Sequence, residues 1–171
     1  MKKYVLIFCL IVFGHAAILH AQTNDFCTGL QSILASAQLQ FRDIKDSVLK
    51  ANEYAIMWKV NKQLPGSLKC RLVSAMGIRY EAAMYQSTDI ENMKQTYKLL
   101  NTALANCLLK NGYKCTMADN FYPGLTDYKK VMYTQSITAN TADAPPPHVS
   151  MEVDYFKASG TYSIIINIWE H

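Results

Sequence analysis

The sequence is poor in the residues that most often do chemistry. It has four histidines in 171 residues, and His15 and His20 fall in an amino-terminal stretch that reads as a removable leader. That leaves His148, beside three consecutive prolines, and His171 at the last position. A Ser-His-Asp or Cys-His arrangement would have to rest on one of these two, and no G-x-S-x-G accompanies them. Several histidines converging on a metal are ruled out by the same shortage, and no C-x-x-C pair offers zinc the close thiolates it requires. The methionines are scattered rather than clustered, which fits gap-filling in a core better than copper handling. No cofactor is therefore expected.

Neither sign of charge dominates. There are 17 Lys+Arg against 13 Asp+Glu, a formal +4, and removing Lys2 and Lys3 with the leader lowers the excess to +2. Displacing counterions from a nucleic acid takes a much stronger basic surplus, so nucleic-acid binding is not expected. What is present is ordinary: half of the residues are apolar and 18% are charged, the balance of one globular domain.

Lys2 and Lys3 precede an apolar run from Val5 to Phe13, and small residues follow at Gly14, Ala16, Ala17 and Ala21. This is the order of a secretory signal peptide, with cleavage expected after Ala21. The run is shorter than the roughly 20 residues that span a bilayer. Residues 1–21 are thus expected to be a leader and 22–171 a single domain, secreted or periplasmic, with no membrane span after signal removal. Four cysteines remain, Cys27, Cys70, Cys107 and Cys115. An even number in a chain bound for an oxidising compartment predicts two disulfides, with three possible pairings.

From Phe26 to Val48 apolar residues recur at steps of three and four, which predicts a long amphipathic helix. Three alternating stretches follow, Tyr54–Val60, Leu68–Leu72 and Ile78–Met84, with Pro65-Gly66 marking a turn between the first two. Thr88 and Glu91 form a capping box before a second helix, which Gly112 should close. Residues 113–130 show no sustained period and are expected to be a loop. Strands are expected again at Val131–Ile137, Val149–Tyr155 and Tyr162–Trp169, and the consecutive Ile164, Ile165 and Ile166 suggest burial on both faces. The expected fold is α+β: a six-stranded, mainly antiparallel sheet with two helices on one face, in the order α-β-β-β-α-β-β-β. Each half offers one helix and three strands, a duplicated layout without repeated residues. The order is similar to that of small export-chaperone domains of the type III secretion kind, a likeness of element order that no motif accompanies. Order alone does not carry function.

Four constellations are left to weigh. Ser47 and Lys50 match S-x-x-K, but neither S-D-N nor K-T-G accompanies them, so they read as the solvated end of the first helix. Glu152 and Asp154, two apart on a strand, leave the same face and could serve a small carboxylate-dependent hydrolase or transferase of the cell envelope. Lys59, Lys69, Arg71 and Arg79 should occupy the polar face of the first three strands, either in cross-strand ion pairs or as a site for an anion or acidic partner. In the stretch after the second helix, Phe121, Tyr122 and Tyr128 surround Pro123-Gly124 and offer aromatic contact area. The leading expectation is a non-enzymatic binding module for a protein or an envelope ligand. It would use Lys69, Arg71 and Arg79 on the sheet's polar face, or Phe121, Tyr122 and Tyr128 in the aromatic stretch. A scaffolding domain assembled through sheet edges is a further alternative.

Overall fold

The computed structural model describes residues 25–75, 77–118, 130–135 and 147–170. The expected leader and the aromatic residues Phe121, Tyr122 and Tyr128 lie outside them. A helix over 25–38 (α1) is followed by Lys45–Ala51 (β1), Ile56–Val60 (β2), Lys69–Ser74 (β3) and Ile78–Ser87 (β4). A second helix, Ile90–Leu108 (α2), runs into a 3-10 turn at Leu109–Asn111 and leads to Tyr113–Ala118 (β5), Lys130–Gln135 (β6), His148–Phe156 (β7) and Thr161–Trp169 (β8). The strands form one sheet in the order β1-β2-β3-β4-β8-β7-β6-β5, and every neighbouring pair is antiparallel.

The class is α+β, with both helices on one face of an antiparallel sheet. The six strands read from the sequence are β2, β3, β4, β6, β7 and β8, and the sheet is longer by one strand at each edge, β1 and β5. Each half is therefore a helix followed by a four-stranded meander, and the last strands of the two halves, β4 and β8, meet at the centre. The six-stranded order that carried the likeness to export chaperones is thus extended to eight.

Several boundaries move for identifiable reasons. The first helix stops at residue 38 rather than at Val48. Gln40 and Phe41 take left-handed backbone angles, φ 54° and 56°, a conformation that costs a non-glycine residue energy and ends a helix. Phe41 and Ile44 are nonetheless fully buried, so the apolar spacing continues through the turn and mimics a longer helix. Ser47 and Lys50 consequently sit on the exposed edge strand β1 and not on a helix end. Tyr113–Ala118, expected in a loop, pairs residue for residue with β6. At the start of α2 the cap is Asp89 rather than Thr88: its carboxylate accepts from the backbone N–H groups of Glu91 and Asn92 at 2.8 and 3.3 Å. A carboxylate there also meets the positive end of the helix dipole. Gly112, at φ 81°, supplies the left-handed residue that closes the helical segment.

Register places the core. Trp58, Leu72, Tyr80, Ile168 and Val149 stand opposite one another across β2, β3, β4, β8 and β7. The adjacent row is Cys70, Ala82, Ile166 and Met151. All are buried in one cluster with Phe26, Leu30 and Ile33 of α1 and with Met93, Leu104 and Leu108 of α2. Within it the Tyr80 hydroxyl accepts from Leu64 N–H at 2.9 Å and donates to the Lys62 carbonyl at 3.2 Å. Burial pushes the Tyr80 phenol well above the usual tyrosine range, with neighbouring Cys70 adding to the effect. It is a neutral structural hydroxyl.

A disulfide between Cys27 and Cys107 joins the two helices, 80 residues apart in sequence. The expected second bridge is absent: Cys70 and Cys115 are free thiols, the first buried and the second exposed. They lie on β3 and β5, five strand positions apart in the sheet. At roughly 4.8 Å per strand that is about 24 Å, far beyond the reach of a disulfide.

Candidate ligand-binding face

Strand alternation turns a second set of residues away from the helices. Opposite one another run Val73, Arg79, Trp169 and His148, then Arg71, Glu81, Asn167 and Ser150, then Lys69, Ala83, Ile165 and Glu152. Lys69, Arg71 and Arg79, singled out from the sequence, do share this polar face. The carboxylate that answers them is Glu81, not Glu152 or Asp154. Arg71 Nε donates to Glu81 Oε2 at 2.6 Å, and Arg79 Nε donates to Oε1 at 2.7 Å, with its NH2 group 2.6 Å from the same oxygen.

The centre of this face is more enclosed than a solvated sheet surface would be. Glu81 is 7% exposed, Asn167 3% and Ser150 fully buried. For Glu81 the cause is visible, because the two guanidinium groups that bind it also lie over it, and that of Arg79 sits 5.0 Å from the Trp169 ring centre. Burial of a lone carboxylate would be costly, and two charge-assisted partners remove that cost. Glu152 accepts a 2.6 Å hydrogen bond from Asn167 Nδ2. Glu81 and Glu152 are thus both engaged in the sheet's own network, and Asp154 shares this face opposite Ser163.

Beside the triad is a concave site of about 250 Å³. Lys69 and Arg71 give it a cationic lining beside Glu81, and Ala83, Ile165 and Phe156 give it an apolar one, with Gln86 and Ser163 completing it. Phe156 is 48% exposed, a large aromatic surface left at the rim. A bulge between Ala83 and Tyr85 shifts the register of β4 against β8 and brings Gln86 to the same face as Ser163. Lys69 makes no ion pair among the described residues. The lining itself carries two cations against one carboxylate, and Glu152 and Asp154 stand on the next strand, opposite Ile165 and Ser163.

Sequence reasoning found the cations and missed Phe156, Ile165, Gln86 and Ser163. Phe156 lies one residue beyond the expected strand Val149–Tyr155 and inside β7, and a β-bulge leaves no mark in residue periodicity. Among the described residues there is no group of three or more metal-ligating side chains, and no helix is long and apolar enough to cross a membrane. Comparison with known proteins adds no parallel: no family model, no curated protein and no solved structure matches the chain.

Proposed function

We propose that this protein is an exported, non-enzymatic binding module, secreted or periplasmic, whose ligand is a protein or envelope component that docks on the sheet's polar face. Export is supported by the basic and apolar leader pattern and by the Cys27–Cys107 disulfide, since such bonds persist in oxidising compartments. The observation that carries the binding reading is the surplus of positive charge beside a concave site: Lys69 and Arg71 line it, while Glu81, the nearest carboxylate, is already held by two arginines. An electropositive patch next to an exposed apolar surface favours a partner with complementary negative charge.

The test uses charge reversal. Lys59, exposed on β2 beside the core residue Trp58, is turned to the same face, and Lys59→Glu with Lys69→Glu should abolish retention of envelope components from the source organism on the immobilised protein. Lys98→Glu, an exposed position on α2, should leave retention intact. Equal retention by both folded variants would refute the reading.

A further inference from the structure

Resting on that reading, we infer that the 250 Å³ site takes a small organic carboxylate with a short apolar chain, its head on Lys69 and Arg71 and its chain against Ala83, Ile165 and Phe156. Three observations lead there. The cationic lining has donors to spare. Arg71 directs Nε at Glu81 and one terminal nitrogen, at 3.7 Å, to the Met57 sulfur, whereas its guanidinium carries five N–H groups. Lys69 adds three more and has no ion pair among the described residues. A carboxylate matches this arrangement, because its two oxygens can accept from both cations at once.

The rest of the lining is largely apolar, so an ion alone would leave Ala83, Ile165 and Phe156 facing water. A chain laid against them removes apolar surface from solvent, the larger part of small-ligand affinity in most sites. Size sets the third limit. The cavity measures about 250 Å³, just under the roughly 300 to 1,000 Å³ of sites for drug-sized ligands. That scale suits a ligand of few non-hydrogen atoms rather than a drug-sized one. Hexanoate, with eight, is a probe of that scale.

The experiment is an NMR titration of the ¹⁵N-labelled protein with hexanoate, acetate and hexan-1-ol. Hexanoate should shift amides of residues 69–71, 83–86 and 163–165 saturably, with at least tenfold weaker binding of acetate and of the alcohol. Lys69→Gln should weaken hexanoate about tenfold, and Phe156→Ala should reduce the advantage of hexanoate over acetate several-fold, both with the rest of the spectrum unchanged. Equal affinity for acetate and hexanoate would mean a site for an ion only and would overturn the inference. So would shifts confined to other residues, or no loss in Lys69→Gln. Failure here with retention still abolished by Lys59→Glu and Lys69→Glu would remove the small-carboxylate assignment and leave the macromolecular reading standing. The reverse pattern would remove that reading alone.

Discussion

The two faces of the sheet are built from the same strands, yet they are held by different physics. On the helix side Leu72, Tyr80, Ala82, Ile166 and Ile168 pack into one cluster with both helices, and almost nothing polar interrupts it. On the other side the same strands present Arg71, Arg79, Glu81, Asn167 and Glu152, joined by short charge-assisted and amide hydrogen bonds. The first face specifies the fold through area removed from water, which is non-directional and tolerant of detail. The second is directional and depends on each partner being present, so that one lost group strands the others. The helix side therefore carries most of the stability that comes from burial, and the polar side is the one proposed to meet a ligand.

That division can be broken in measurable ways. The largest effect is expected on the helix side from removing the tie between α1 and α2. Cys27→Ala with Cys107→Ala opens a loop of 80 residues and should lower the unfolding free energy by about 4 kcal/mol in a urea titration. A loss below about 1 kcal/mol would show that the helices hold their positions by packing alone.

Adjacent isoleucines sharpen the contrast. Ile166 is fully buried against the helices, whereas Ile165 is half-buried on the polar face. Ile166→Ala should cost roughly 2 to 5 kcal/mol, and Ile165→Ala about 1 kcal/mol or less. Equal costs would mean that both faces are core.

Glu81→Gln comes next. It leaves two arginines whose side chains are 36% and 31% exposed without their anion. Water reaches both, so the penalty falls between that of a buried and that of a surface pair, about 1 to 2 kcal/mol by chemical denaturation. The companion Lys69→Gln should be neutral within roughly 0.5 kcal/mol.

The smallest effect concerns acid. Burial opposes ionisation of Asp43, but hydrogen bonds from Ser36 Oγ at 2.8 Å and Lys62 Nζ at 3.2 Å outweigh it and hold its carboxyl below the ordinary aspartate value. A depressed folded value means that the carboxylate adds stability above the unfolded pKa, near 3.9. That contribution is lost as the pH falls through the lower folded value. Asp43→Asn should flatten the low-pH end of the stability profile and leave the profile above pH 5 parallel to wild type.

The residues show why parts of this fold were legible in the sequence and others were not. Strand β7 and the first part of β4 alternate because one face is apolar and the other polar, β8 stands out by its run of isoleucines, and α2 carries its buried Met93, Tyr97, Leu104 and Leu108 at helical spacing. The edge strands were hidden for opposite reasons. In β1 every residue is exposed, so burial imposes no period on Lys45–Ala51. In β5 Tyr113, Cys115 and Met117 do alternate with Lys114 and Thr116, a signal present but shorter than the aromatic stretch that follows it. Phe41 and Ile44 misled in another way, since a turn can place residues in a core at the same intervals as a helix. On the polar face the cations were legible as residues of one parity. Their partner Glu81 was not, because choosing among carboxylates requires the strand order, and β4 lies beside β3 whereas β7 lies two strands further on.

The central claim, that the polar face is where this protein meets its ligand, is tested most directly by position-specific photo-crosslinking in cells of the source organism. A photoreactive residue at position 69 on β3 should yield a discrete covalent adduct under illumination, and one at position 98 on the exposed side of α2 should yield none. Adducts from position 98 with none from position 69 would contradict the account and move the binding surface to the helices.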